Sequence, residues 1–278
     1  MADAQSHPPY IAFVGAGNMA SSMVGGLIES GHPADHICAA DPFPASLERL
    51  REVAPIAIHS DNAGAVASAD IVILAVKPQV MAEAATSIAT AVKANGALVI
   101  SIAAGVTIAS LQARLGRQAA IVRCMPNTPA LLGCGASGLF ANDRASVKQR
   151  EFAERVLSAV GITCWVRSES ELDAITALSG SGPAYFFLLM EAMIDAGVAL
   201  GLEKDVATQL TTQTGLGAAR MALGKNVDLS ELRRRVTSPG GTTERAIASF
   251  ENDGLRESVA RAMRAAADRA VEMARELG

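Results

Sequence analysis

Aromatic side chains are scarce in this sequence, which has one Trp, two Tyr and seven Phe among 278 residues. Half of the residues are nevertheless hydrophobic, so the chain can bury a sizeable core. Alanine is abundant, and such small side chains favour closely packed helices. A chain of this length predicts one large or two ordinary domains.

Long basic runs, long apolar runs and a signal peptide are also missing. The net charge is −4, so nucleic acid is not an expected partner. The first nine residues are polar, and no apolar run approaches the roughly 20 residues that span a bilayer. The sequence therefore predicts a cytoplasmic protein with no membrane partner.

Cysteine and histidine do not form the patterns of a disulfide framework or a metal site. The four cysteines have no Cys-x-x-Cys spacing, and three lie in or beside apolar runs, which predicts buried free thiols in a reducing compartment. The four histidines all precede residue 60 without metal-ligand spacing, so no metal is expected. The cysteines are Cys38, Cys124, Cys134 and Cys164.

A glycine-rich turn, Gly15-Ala16-Gly17-Asn18-Met19-Ala20, follows a short apolar segment and precedes a helical pattern over 19–30. Gly15 permits a tight turn, and Gly17 has no Cβ to obstruct a phosphate group. The free N–H groups of the following helix would face that anion. Because the flanking strand and helix are both present, the turn predicts binding of a dinucleotide pyrophosphate.

The rhythm of the chain divides it in two. The first 165 residues alternate short apolar segments with helical patterns, as in a Rossmann-type, doubly wound parallel sheet of an α/β domain. Strand signals vanish after about residue 169, and long helical patterns follow. We therefore expect a dinucleotide-binding domain over 1–166 and an all-α domain over 167–278. The predicted strands are 11–14, 37–40, 71–76, 98–102, 121–125, 137–140 and 164–166.

The segment 183–200 is apolar on nearly every face, and such a helix cannot remain in water. The helical half is too small to bury it in a monomer. We expect this segment to be buried between two subunits.

Five further segments have residues suited to binding. Lys77 follows a predicted strand at the sheet edge where ligands bind, and is either close to the cofactor or simply solvated. The ends of two other strands, 101–106 and 126–130, have small or neutral polar residues. The Gly/Ser-rich turns 178–183 and 236–244 open helices, and their backbone N–H groups could hold a small carboxylate. Alternatively, threonines of the second turn are only helix caps.

Asp41 follows the second predicted strand, where an acidic residue usually binds the ribose 2′-hydroxyl and favours NADH. A 2′-phosphate would be repelled by it. The alternative is that Asp41 points away from the ribose, with Arg49 or Arg51 reaching in.

Six segments together resemble pyrroline-5-carboxylate reductase, the last enzyme of proline biosynthesis. They are FVGAGNMA, AVKPQ, SIAAGV, VRCMPNTPA, DAITALSGSGPAYFF and RRRVTSPGGTTERAI, in this order over nearly the whole chain. The resemblance implies hydride transfer from a nicotinamide cofactor to the C=N carbon of Δ1-pyrroline-5-carboxylate, giving L-proline. NADPH is the expected cofactor, with NADH as an alternative.

The resemblance also implies site residues. Thr243 would be the catalytic residue that hydrogen-bonds the ring nitrogen of the substrate. The substrate-binding residues would be Thr176, Ser238, Gly240, Gly241, Thr242 and Thr243. The cofactor-binding residues would be Val14, Gly15, Ala16, Gly17, Asn18, Met19, Asp41, Asn62, Ala75, Val76, Lys77, Pro78, Ile102, Ala103 and Ala104.

In the family that the sequence resembles, the helical half forms a homodimer, and assembly of dimers into a decamer is left open. Two other functions compete. A β-hydroxyacid dehydrogenase or another imine reductase has the same two-domain build. A β-hydroxyacid dehydrogenase generally needs a Lys near the substrate, however, and the helical half has only Lys204 and Lys225. A cofactor-binding sensor would not need the turn 236–244.

Overall fold

The computed structural model describes residues 8–224 and 228–277. These residues form one eight-stranded sheet and twelve α-helices. The sequence predicts seven of the strands and misses β3, which has three residues, none of them fully buried. The strands are β1 (Ile11–Val14), β2 (Ile37–Ala40), β3 (Ala57–His59), β4 (Ile71–Leu74), β5 (Leu98–Ser101), β6 (Ile121–Met125), β7 (Gly135–Ala141) and β8 (Gly161–Trp165).

The strands lie in the order β3-β2-β1-β4-β5-β6-β7-β8. The chain builds β2 and β3 on one side of β1 and then crosses to β4 on the other side, so the order reverses between β1 and β4. In open α/β sheets, ligands bind at such a switch point, outside the carboxyl ends of the strands. The predicted Rossmann-type fold is confirmed.

Two strands, β7 and β8, depart from the predicted parallel sheet, since both run opposite to the other six. β7 runs antiparallel to β6, whereas every other neighbouring pair is parallel. The physical reason is the short connection between β6 and β7, because a parallel crossover needs a dozen or more residues.

Both faces of the sheet are covered, which explains why its strands are continuous apolar runs. Phe13, Ile73 and Ile100 are fully buried in the core on one face. Val72 and Val99 are fully buried in the core on the other.

Six helices connect the strands, and local sequence sets several of their ends. Thr107 accepts a hydrogen bond from the amide of Ser110 at the start of α5, and Gly96, with φ of +64°, ends α4. The six helices are α1 (Asn18–Glu29), α2 (Pro44–Val53), α3 (Asn62–Val66), α4 (Met81–Asn95), α5 (Ile108–Leu115) and α6 (Val147–Ser158).

The rest of the chain is helical, as predicted. A π-helical turn, Thr176–Gly180, separates the first two of these helices, and is called the π turn below. The helices are α7 (Glu171–Ile175), α8 (Gly182–Ala199), α9 (Lys204–Ala222), α10 (Leu229–Arg235), α11 (Thr242–Asn252) and α12 (Leu255–Leu277).

The described chain forms two compact units. The first contains 8–181 together with 266–277, and the second contains 182–265 without 225–227. Lys225, one of the two lysines that the sequence analysis weighs as a substrate-side Lys, lies outside the described residues. The domain division at residues 166 and 167 stays a prediction.

Helix α8 is not buried within the single chain, in contrast to what its sequence demands. Phe186, Phe187 and Leu188 are each more than 60 % exposed.

The continuous helical run Glu171–Ala199 is also long and apolar enough to cross a membrane, so the expectation that no run approaches that length is wrong. Length and composition alone are weak evidence for a span, because core helices of soluble proteins share them.

The thiols differ in burial. Cys124 is buried and Cys38 is half-buried, whereas Cys134 and Cys164 are exposed. The expectation of buried thiols is therefore wrong for Cys134 and Cys164. Cys164 lies on the edge strand β8, where alternate residues are exposed and the cysteine is one of them.

Candidate functional site

The glycine-rich turn directly follows β1 at the switch point of the sheet. The amide of Gly15 donates to the carbonyl of Ala40 over 2.8 Å, and Gly15 has φ of +102°. A Cβ on Gly15 would lie 2.7 Å from the carbonyl oxygen of Ala75. Only glycine fits this position, because both its conformation and its surroundings exclude a side chain.

Gly17 has a different role in the same turn. It precedes α1 with an ordinary φ of −78°, and a Cβ there would meet no atom within 4 Å. Within the described chain, no side chain caps α1. The first-turn N–H groups therefore face open space, which is the arrangement that binds a phosphate group.

Asp41 contacts this turn through its carboxylate. Its Oδ2 accepts a hydrogen bond from the amide of Ala16 at 2.8 Å, and its Oδ1 accepts one from the amide of Phe43 at 2.9 Å. Both oxygens are thus bonded to the backbone. Arg49 donates to Ser46, and Arg51 pairs with Glu48 at 3.6 Å, so each arginine has a partner on its own helix.

The other predicted cofactor residues lie at the ends of neighbouring strands. Residues 75–78 follow β4, and residues 102–104 follow β5. The last residues of the three strands are neighbours, since Leu74 pairs with Val14 on one side and with Ser101 on the other. Their carboxyl ends therefore meet at one edge with the glycine-rich turn.

Two polar residues at this edge have different surroundings. Lys77 is exposed there. Asn62, at the start of α3, donates to the hydroxyl of Ser87 over 3.0 Å.

A charged cluster that the sequence analysis missed lies beside this edge. Arg123, on β6, is 7 % exposed and donates to Glu169 over 2.6 Å. The same Glu169 oxygen accepts the amide of Ile108, at the start of α5, over 2.7 Å. The pKa of the nearby Asp173 is raised, chiefly by burial; Arg123 lowers it and Glu169 raises it. Arg123 within an apolar strand was the available signal.

The π turn also lies in the first unit. The hydroxyl of Thr176 donates to the carbonyl of Leu172 over 2.8 Å, and the amide of Ser181 donates to the carbonyl of Thr176 over 2.8 Å. π-helical turns occur frequently at functional sites.

The turn 236–244 lies in the second unit, and two of its amides already have partners. The amide of Gly240 donates to the carboxylate of Glu244 over 2.7 Å, and that of Gly241 donates to the carbonyl of Ser238 over 3.0 Å. Gly241 is the N-cap of α11. The alternative that a threonine is this cap is therefore wrong. Thr242 and Thr243 occupy the first turn of the helix.

Nothing in the described ranges, 8–224 and 228–277, groups three or more His, Cys, Asp or Glu side chains into a metal site. The fold and the bare helix N-terminus at the switch point define a dinucleotide-binding protein with a Rossmann-type domain and a helical second half.

Comparison with known proteins identifies the family. Residues 10–105 match the family described as NADP oxidoreductase coenzyme F420-dependent, and residues 169–273 match pyrroline-5-carboxylate reductase dimerisation. The chain is 54 % identical to the pyrroline-5-carboxylate reductase of Pseudomonas aeruginosa over 97 % of this chain and 98 % of the relative. It is 45 % identical to that of Vibrio alginolyticus, over 95 % and 97 % of the two chains.

Solved structures agree with this. A pyrroline-5-carboxylate reductase from Coxiella burnetii aligns with a TM-score of 0.93 and 44 % identity, over 96 % of this chain and 99 % of the other. Plasmodium falciparum pyrroline carboxylate reductase with NADP bound aligns with a TM-score of 0.84 and 28 % identity, over 96 % and 98 %. The chain belongs to the pyrroline-5-carboxylate reductase family.

Proposed function

We propose that this protein reduces Δ1-pyrroline-5-carboxylate to L-proline, the last step of proline biosynthesis. The cofactor would supply a hydride to the C=N carbon of the protonated imine, whose ring nitrogen already holds the proton that the product amine needs. The observation that carries the proposal is the bare N-terminus of α1 beside Gly17 at the switch point of the sheet. The identity to reductases of this name along nearly the whole chain supports the substrate.

The proposed cofactor is NADPH, with NADH as an alternative. Residues 14–19 would surround the pyrophosphate. The amides of residues 17–19 would hold it, since those of Gly15 and Ala16 already donate to Ala40 and Asp41. Residues 75–78 and 102–104 would line the rest of the cofactor site. Asn62 belongs to the same proposed set. Asp41 is proposed to support the turn through Ala16, since its two oxygens are bonded to backbone amides.

The proposed substrate site uses neutral groups. The hydroxyl of Thr243 would hydrogen-bond the ring nitrogen, and the amides of Thr242 and Thr243 would hold the carboxylate. The amides of Gly240 and Gly241 have partners in the chain, so they would first have to release Glu244 and Ser238. Ser238 would shape the turn 236–244, and Thr176 is proposed as a further substrate-binding residue.

A homodimer is proposed through the helical domain, taken as 167–278. The apolar side chains of α8 are exposed in the single chain, and a partner subunit would remove them from water. The match of residues 169–273 to a dimerisation family supports this. Assembly of the dimers into a decamer, a cytoplasmic location, and the absence of nucleic-acid and membrane partners remain further proposals.

The test is the oxidation of NADPH and of NADH by the purified protein with Δ1-pyrroline-5-carboxylate, with hydroxyacids as comparison substrates. Turnover confined to the imine supports the proposal, and cofactor binding without turnover would contradict it. Thr243→Ala should lower kcat/KM, by an amount that corresponds to a loss of roughly 1–3 kcal/mol of transition-state stabilisation. Thr212→Ala, on the exposed face of α9, is the matched control and should leave kcat/KM unchanged.

A further inference from the structure

The carbonyl of Ser179 cannot complete the hydrogen bond that a helix would give it. In an α-helix this carbonyl accepts from the amide four residues later, and that residue is Pro183, which has no N–H. Ser179 lies in the π turn, at the point where the chain enters α8. A carbonyl left without a donor in a half-buried place costs free energy.

Asn127 supplies the missing donor from another part of the chain. Its Nδ2 donates to the carbonyl of Ser179 over 3.0 Å, and its Oδ1 accepts the amide of Ala136 over 2.9 Å. Both ends of the side-chain amide are therefore used, one on β7 and one on the π turn. An amide side chain suits this bridge, because its NH2 group donates while its oxygen accepts.

Packing fixes the π turn at the same place. A Cβ on Gly180 would lie 2.5 Å from Cε of Met125, the last residue of β6. A Cβ on Gly138 of β7 would likewise overlap the side chain of Ile175, just before the π turn. The π turn thus rests on the end of β6, the residue just before it packs against the middle of β7, and the bond from Asn127 sets the orientation of the turn.

We propose that Asn127 is a positioning residue for substrate binding, which acts by holding the Ser179 carbonyl and with it the π turn that contains Thr176. This inference rests on the proposed function, since Thr176 is part of the proposed substrate site. Asn127 is not assigned any contact with the substrate.

The test is Asn127→Asp, which keeps the size of the side chain and its bond from Ala136 but cannot donate to Ser179. Asn142→Asp is the matched control. Asn142 also bridges backbone groups beside β6, at the opposite end of the strand, where it accepts from Ile121 over 3.1 Å and donates to Ala119 over 2.9 Å.

Asn127→Asp should raise the KM for Δ1-pyrroline-5-carboxylate by about fivefold to tenfold, with the KM for NADPH changed less than about twofold. Asn142→Asp should lower the thermal midpoint without changing the KM for the imine. In a Pro183→Ala background, Asn127→Asp should raise the KM for the imine less, because the amide of residue 183 can then donate to the carbonyl of Ser179. An unchanged KM for the imine in Asn127→Asp, or equal shifts in both variants, would overturn the inference.

Hydrogen exchange separates this inference from the proposed function, because it needs no turnover. Amide exchange over 176–182 should become faster in Asn127→Asp and stay unchanged in Asn142→Asp. If exchange over this segment is the same in Asn127→Asp and in the parent protein, Asn127 does not hold the π turn. An inactive parent protein would contradict the proposed function and leave the exchange result to decide on Asn127.

Discussion

The carboxylate of Asp41 accepts a hydrogen bond from the backbone amide of Ala16, with 2.8 Å between the oxygen and the nitrogen. This bond places a negative charge directly behind the glycine-rich turn. The carboxylate therefore supports the turn and at the same time opposes the approach of a further anion.

Asp41→Asn should consequently favour NADPH over NADH. The change keeps one acceptor for the turn and removes the charge that a 2′-phosphate would meet. The ratio of kcat/KM for NADPH to that for NADH should rise about fivefold, since two unit charges 4 Å apart in water interact by about 1 kcal/mol. Steady-state kinetics with both cofactors measure this ratio. A fall of equal size for both cofactors would mean that Asp41 is only a support.

Gly17→Val should abolish cofactor binding while the protein stays folded. A Cβ at Gly17 meets no protein atom within 4 Å, so its side chain would occupy only the space in front of α1. We expect a loss of unfolding free energy of about 1 kcal/mol or less, since Gly is only a moderate N-cap. Cofactor titration and thermal unfolding measure the two effects.

Gly15→Ala is the contrasting variant for this prediction. Its φ of +102° and the carbonyl of Ala75 should make it destabilising by about 1–3 kcal/mol. Normal cofactor affinity in Gly17→Val would exclude the phosphate role of the turn.

Glu169→Gln should lower the free energy of unfolding by about 2 kcal/mol, because Arg123 would keep its charge in a buried place without its partner. The ion pair between Arg269 and Glu276 is the control. Its atoms are 2.7 Å apart, but both side chains are more than half exposed, so Glu276→Gln should lower the free energy of unfolding much less than Glu169→Gln does. Urea unfolding gives both values, and equal losses would show that burial of Arg123 adds nothing.

The raised pKa of Asp173 predicts that the stability of the protein depends on pH. Burial raises its pKa in the folded state above the unperturbed value of 3.8, so the folded protein binds the proton more tightly than the unfolded chain. The stability that protonated Asp173 contributes is present below the unfolded pKa and is lost as the pH rises through the folded pKa.

Asp173→Asn stays neutral at every pH and should remove this loss. The variant should be more stable than the parent protein above that window, and the difference should shrink in acid. Thermal midpoints across the acid range measure the effect. A difference that is the same at all pH values would contradict it.

The four thiols should react with a disulfide reagent in two groups. Burial raises the pKa of Cys124 to about 12 and that of Cys38 to about 11, so neither forms much thiolate at neutral pH. Cys134 and Cys164 are exposed and should react first. Mass spectrometry after short labelling identifies the sites, and labelling in urea should reach all four. Fast labelling of Cys124 in the folded protein would contradict its burial.

Much of the fold could be predicted from sequence because its signals are local. Continuous apolar runs such as β1 and β4 need both faces covered, and the glycine-rich turn needs the φ of Gly15. Strand β3 was not predicted, because its three partly exposed residues show no periodic pattern of burial. The reversed direction of β7 and β8 was missed because direction depends on the pairing with the neighbouring strand, not on the residues of the strand itself.

The sequence by itself determined the class of fold, the turn for the cofactor and the family, since each rests on residue types at fixed spacing. Only the tertiary structure decided where side-chain hydrogen bonds go. It directed Asp41 to the amide of Ala16, brought Glu169 to Arg123 across 46 positions, and joined Asn127 to the carbonyl of Ser179 across 52. Such bonds form between atoms that only the packed sheet and its loops bring within 3 Å, and no local spacing encodes them.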